Sequence, residues 1–155
     1  MTWLPVLVAA GIGATAWRGH RRQVRARAGF PPEGRFVSVG GHPVHYVRRG
    51  SGPDLVLIHG ASGNTRDFTF SLVDRLAGRY RVTVFDRPGL GHTPRLAPRG
   101  VTLADQADLL HGAAQALELT RPIVLGQSFG GAVAMAWALR HPEGLSALVD
   151  VAGAP

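Results

Sequence analysis

Gly126-Gln127-Ser128-Phe129-Gly130 is the segment of this chain best suited to chemistry. A serine with glycines two residues before and two after can be held on a turn too tight for ordinary neighbours. Such a turn lifts the hydroxyl clear of its strand. If a helix starts straight after it, the first backbone N–H groups of that helix face the same space, where an oxyanion would form. The chemistry is attack of Oγ on an acyl carbon, followed by clearance of the acyl-enzyme by water. The pattern alone says little in a chain with 21 glycines. Its flanks make it specific, because Ile123 to Gly126 reads as an apolar strand and Gly130 to Arg140 as an apolar helix, with Gly131 a further small residue at the helix start.

Two other motifs stand upstream. His59-Gly60 follows the apolar run Asp54 to His59, and Asp86-Arg87-Pro88-Gly89-Leu90-Gly91-His92-Thr93 follows Tyr80 to Phe85. In their order and spacing, these motifs and the serine turn resemble the N-terminal half of the α/β-hydrolase family, in its serine-nucleophile branch. The resemblance covers residues 35 to 155. It implies that Ser128 is the nucleophile and that the backbone N–H groups of Ala61 and Phe129 hold the oxyanion. Gly126, Gln127, Gly130 and Gly131 would support the turn, His59 and Gly60 the oxyanion loop, and Asp86 the backbone of its own loop. The implied reaction is hydrolysis of a small-molecule ester or related acyl substrate, with no metal or organic cofactor.

The family's chain order is nucleophile, acid, histidine. After Ser128 the only histidine is His141, at the far end of the helix that starts at the turn. That helix is about 20 Å long, so His141 is out of reach. Asp150 is a formal candidate for an acid placed after the sixth strand. The expectation is a chain truncated before its catalytic acid and histidine, with little or no turnover alone, and with a sheet edge and apolar helix faces left exposed. The competing reading is a catalytically incompetent hydrolase-fold module for binding or interaction. A nucleotide-binding domain is disfavoured, because G-x-x-x-x-G-K-[ST] is absent and the chain has no lysine to serve it.

The elements that must position these residues alternate. A hairpin, Arg35 to Val39 and Val44 to Arg48 around Gly40-Gly41, comes first. Asp54 to His59 reads as a strand buried on both faces. A helix opened by Asn64 or Thr65 follows, with Phe68, Leu72 and Leu76 recurring every fourth residue. Then come the strand Tyr80 to Phe85, a helix over Thr102 to Leu119 with a Thr102–Asp105 capping box, the strand and helix around Ser128, and the strand Leu145 to Val151. The helix after Ser128 is apolar nearly all round and should be buried. This alternation predicts an α/β fold, a mostly parallel sheet with an N-terminal antiparallel hairpin and helices on both faces.

The N-terminus is a separate matter. Met1 to Trp17 carries no charge, and Trp3 and Trp17 stand near its ends. Residues 1–17 are expected to form an apolar helix of about 25 Å that anchors the chain in a membrane. The alternatives are a cleaved signal peptide, for which a basic start is lacking, and a poorly ordered or docked apolar tail. Residues 18–34 then read as a basic juxtamembrane segment and a linker ending in Gly29 to Gly34. Of the formal charge of +7, five units come from Arg18, Arg21, Arg22, Arg25 and Arg27, with no acid before residue 29. The rest holds twelve arginines against ten acids. That distribution points to a membrane surface, with the domain on the cytoplasmic side, and away from nucleic acid. The absence of cysteine excludes disulfides, thiolate metal sites and a cysteine nucleophile.

Overall fold

The protein is described by a computed structural model over residues 4–153. Two units form, one up to Pro32 and one from Glu33 onward. In the second unit β1 (Arg35–Val39) and β2 (His42–Arg49) pair antiparallel, with Val39 opposite His42. Gly40 and Gly41 join them with φ of 55° and 82°, the left-handed pair that a two-residue hairpin turn needs. β3 (Asp54–Ile58), β4 (Arg81–Phe85), β5 (Ile123–Gln127) and β6 (Ala147–Val151) run parallel, and the sheet order is β1-β2-β4-β3-β5-β6.

β3 is buried throughout, and its period of two divides it between two cores. Val56 and Ile58 join Val124, Leu110, Ala113, Val133 and Trp137 on one face. Leu55 and Leu57 join Val82, Val84, Phe68 and Val73 on the other. Helices therefore cover both faces, as a parallel sheet of apolar strands requires.

α1 (Leu4–Gly29) makes up most of the first unit and departs from expectation. An apolar helix ending at Trp17 is not what forms. One helix runs on through Arg18, Arg21, Arg22 and Arg25, because arginine sustains a helix as well as most apolar residues do. Among the described residues no helix is long and apolar enough to cross a membrane, which corrects the expected transmembrane span. Trp3, expected at one end of that span, lies outside the described residues.

The helix after β3 also differs. It breaks into α2 (Arg66–Thr69) and α3 (Leu72–Leu76). Ser71 leaves the helical region at φ −155°, and its N–H donates to Phe68 rather than one residue further back. Phe68 and Val73 still reach the core, so tertiary burial keeps the apolar spacing while the ladder breaks. Thr65 is the N-cap of α2 and makes no side-chain cap bond, while the preceding Asn64 accepts at Oδ1 from the Arg66 N–H at 2.8 Å.

α4 (Leu103–Ala116) opens on the expected capping box, in which Thr102 accepts from the Asp105 N–H at 3.1 Å and the Asp105 carboxylate accepts from the Thr102 N–H at 2.9 Å. It stops three residues short of Leu119, where Glu118 turns to φ 55°. α5 (Phe129–Arg140) is not buried all round. Val133, Ala134 and Trp137 face the core, whereas Met135 and Leu139 are exposed, as are Val149 and Val151 on β6.

Candidate active site

Ser128 stands alone between β5 and α5, at φ 53° and ψ −125°. A non-glycine residue rarely adopts that conformation. Glycine makes room on both sides of it. A Cβ on Gly126 would sit on the Gly130 carbonyl, and one on Gly130 would sit on the Ile58 carbonyl. Gly131 packs against the Asp150 carboxylate in the same way. The turn is tied to the sheet by the Ser128 N–H, which donates to the Val151 carbonyl at 2.9 Å.

The loop after β3 lies against this turn. A Cβ on Gly60 would be 2.7 Å from the Gln127 side-chain oxygen and 3.2 Å from the Ser128 Cβ. His59-Gly60-Ala61 and Gln127-Ser128-Phe129 are thus neighbours in space, although more than sixty residues separate them. Gly60 accepts at its carbonyl from Gly63 N–H at 3.3 Å, His59 Nδ1 at 3.0 Å and Arg87 Nη2 at 2.6 Å. The Gly60–Ala61 peptide is therefore fixed in orientation.

His59 is fully buried, and both ring nitrogens are occupied, Nδ1 by the Gly60 carbonyl and Nε2 by the Arg87 N–H at 3.0 Å. Burial pushes its pKa down, and the nearby Arg87 charge works in the same direction against the Gly60 hydrogen bond. The ring is neutral and carries its proton on Nδ1, since Nε2 accepts from a backbone N–H. It braces the loop.

Asp86 is also buried, and it joins three segments. Oδ2 accepts from His45 Nδ1 at 2.7 Å and from the His92 N–H at 2.8 Å, and Oδ1 accepts from the Thr65 N–H at 2.7 Å. Burial acts to raise its pKa, but these hydrogen bonds outweigh it and hold the carboxyl below its ordinary value. Thr93 adds a further tie, its Oγ1 accepting from the His45 N–H at 2.9 Å.

Several residues of this network were not singled out by sequence reasoning: Arg87, Gln106, His45 and Thr93. Arg87 is 3% exposed, and it spans from the loop after β3 to Gln106 on α4 and to the Phe129 ring. Arg87 and Thr93 fall inside the motif after β4, but nothing in the sequence tells which partners they meet.

The structure keeps His141 away from Ser128 but sets Asp150 beside the turn, on the strand paired with β5. His141 lies at the far end of α5, bonded to Asp108 at 2.8 Å and stacked on His111 at 3.9 Å. Asp150 packs against Gly131 and Gly153. Among the described residues no group of three or more His, Cys, Asp or Glu side chains could hold a metal ion.

Residues 53–155 match the family described as alpha/beta hydrolase fold. The chain is 38% identical over 112 residues to a pimeloyl-[acyl-carrier protein] methyl ester esterase of Vibrio vulnificus, which covers 72% of this chain and 41% of that protein. It is 33% identical over 120 residues to a 2-hydroxy-6-oxo-2,4-heptadienoate hydrolase of Pseudomonas putida, over 75% of this chain and 43% of that protein. Among solved structures, a membrane phospholipase A described as a bacterial virulence factor superposes with a TM-score of 0.73 at 30% identity, over 97% of this chain and 50% of that one. The chain spans about two fifths of the length of the first curated relatives it matches.

Proposed function

This chain belongs to the α/β-hydrolase family, and we propose that it carries the nucleophile and oxyanion half of a serine esterase-like active site. Hydrolase chemistry is common to the named relatives above. The finer reading is acyl hydrolysis through Ser128, and the observation that carries it is the strained turn at Ser128 with the Gly60 loop against it. In this reading Ser128 Oγ attacks the acyl carbon, and charge moves onto the carbonyl oxygen. The N–H groups of Ala61 and Phe129 receive that charge. Phe129 is the first residue of α5, where N–H groups have no acceptor within the helix.

A general base must take the serine proton, and His59 does not suit the task. Its Nε2 is filled by a backbone N–H, and burial keeps it neutral in a structural contact. The base and its acid partner are proposed to lie in sequence other than residues 1–155 of the gene product that contains this chain. The test is hydrolysis of a series of p-nitrophenyl acyl esters by that gene product and by its Ser128→Ala variant. Turnover that the substitution abolishes supports the reading, and turnover that survives it contradicts the reading.

α1 is proposed to hold the domain at the cytoplasmic face of a membrane, lying on the surface. Its arginines suit anionic headgroups, each contributing on the order of 1 kcal/mol near such a surface. The superposition with a membrane phospholipase A extends over nearly all of this chain, which favours the same reading. Membrane recovery at low salt and release at high salt are expected on fractionation. Recovery in the soluble fraction at low salt would end the proposal.

A further inference from the structure

Arg87 is a buried cation whose hydrogen bonds end on neutral acceptors. Nε donates to the His59 carbonyl at 2.9 Å, Nη2 to the Gly60 carbonyl at 2.6 Å and Nη1 to Gln106 Oε1 at 2.9 Å. Its guanidinium lies over the Phe129 ring, 4.8 Å from the centroid. The neighbouring Asp86 does not neutralise it through a hydrogen bond, because the Asp86 oxygens are engaged by Thr65, His45 and His92. A strut that only held a loop would be cheaper as a neutral donor or as half of an ion pair, since burying a charge costs several kcal/mol.

The position of the charge is informative. The Gly60 carbonyl and the Ala61 N–H belong to one conjugated peptide unit. A cation on the carbonyl oxygen draws electron density from the nitrogen and makes the N–H a stronger donor. The same side chain stacks on Phe129, the residue carrying the second N–H. We propose that Arg87 is a positioning residue for the oxyanion site. It polarises the Gly60–Ala61 peptide and holds Phe129, so that both N–H groups are set for negative charge arriving in the transition state. The charge favours the transition state over the neutral ground state, so its effect belongs on the rate of bond formation and not on binding. This inference rests on the reading of Ser128 as nucleophile with Ala61 as oxyanion donor.

Two substitutions separate charge from scaffolding. Arg87→Met removes both. Gln106→Glu keeps the guanidinium in place but sets a carboxylate of the same shape against Nη1, which neutralises the charge. The measurement is phosphonylation of Ser128 by a fluorophosphonate in the gene product that contains this chain, with kinact and KI resolved. Thermal melting checks the fold, and Ser128→Ala serves as the blank. Both variants are expected to lower kinact, Arg87→Met on the order of 10-fold, a fraction of what losing a whole oxyanion donor costs. KI should stay within about twofold, because uniform binding is untouched. A scaffolding role would leave Gln106→Glu at the wild-type kinact, and that result overturns the inference whether or not Arg87→Met folds. Failure of the wild type to label at Ser128 overturns the underlying reading, and this inference with it.

Discussion

At the scale of the residue, the backbone of Ser128 carries strain. A non-glycine residue at φ 53° and ψ −125° costs about 1–3 kcal/mol. Glycine would occupy the same position without a Cβ penalty. Ser128→Gly is therefore expected to raise stability by about 1 kcal/mol in chemical denaturation, while Ser128→Ala brings no comparable gain. Equal midpoints for the two variants would show that the turn stores no strain. The same demand for room explains why this part of the site was legible in the sequence. Gly126, Gly130 and Gly60 are glycines because backbone or side-chain atoms stand where a Cβ would be. Arg87 was not legible. Its partners His59, Gly60 and Gln106 lie 28, 27 and 19 residues away, and no local pattern records those pairings.

At the scale of the element, the contact of α5 with β3 fixes where the serine stands. Gly130→Ala would push a methyl group into the Ile58 and His59 carbonyls, which cannot swing aside as a flexible side chain can. A loss of about 1–3 kcal/mol in urea unfolding is expected, with reduced reactivity at Ser128. Unchanged stability would mean that β3 and α5 approach less closely than described. The strands and α4 could be read from apolar runs, alternation and a capping box because those signals are local. The break between α2 and α3 could not, since Phe68, Leu72 and Leu76 keep helical spacing through it. The exposed side of α5 was equally hidden. An all-apolar sequence does not say which of its faces meets a core, and here Met135 and Leu139 do not. For α1 the apolar start suggested a boundary at Arg18, but nothing there stops a helix.

At the scale of the whole molecule, His59 and Asp86 are among the buried groups that link stability to acidity. His59 has its pKa lowered by burial from an ordinary value of 6.5, so the unfolded chain binds that proton more readily than the folded one. Its contribution is complete above pH 6.5 and is lost as pH falls toward the folded value. Asp86 is held below its ordinary 3.8 by His45 and two backbone N–H groups, so its contribution is lost only below about pH 4. Denaturation midpoints are expected to be level from pH 8 to 7, to decline below pH 6.5, and to fall further below pH 4. Midpoints that rise on acidification would contradict these assignments. The proposed chemistry depends on the hydroxyl at the strand–helix turn being the reacting group. The most direct measurement is to treat the gene product that contains this chain with a fluorophosphonate and locate the adduct by peptide mass spectrometry. A single adduct on Ser128, absent from the Ser128→Ala variant, is the expected result. An adduct on another serine with Ser128 unmodified would contradict the account.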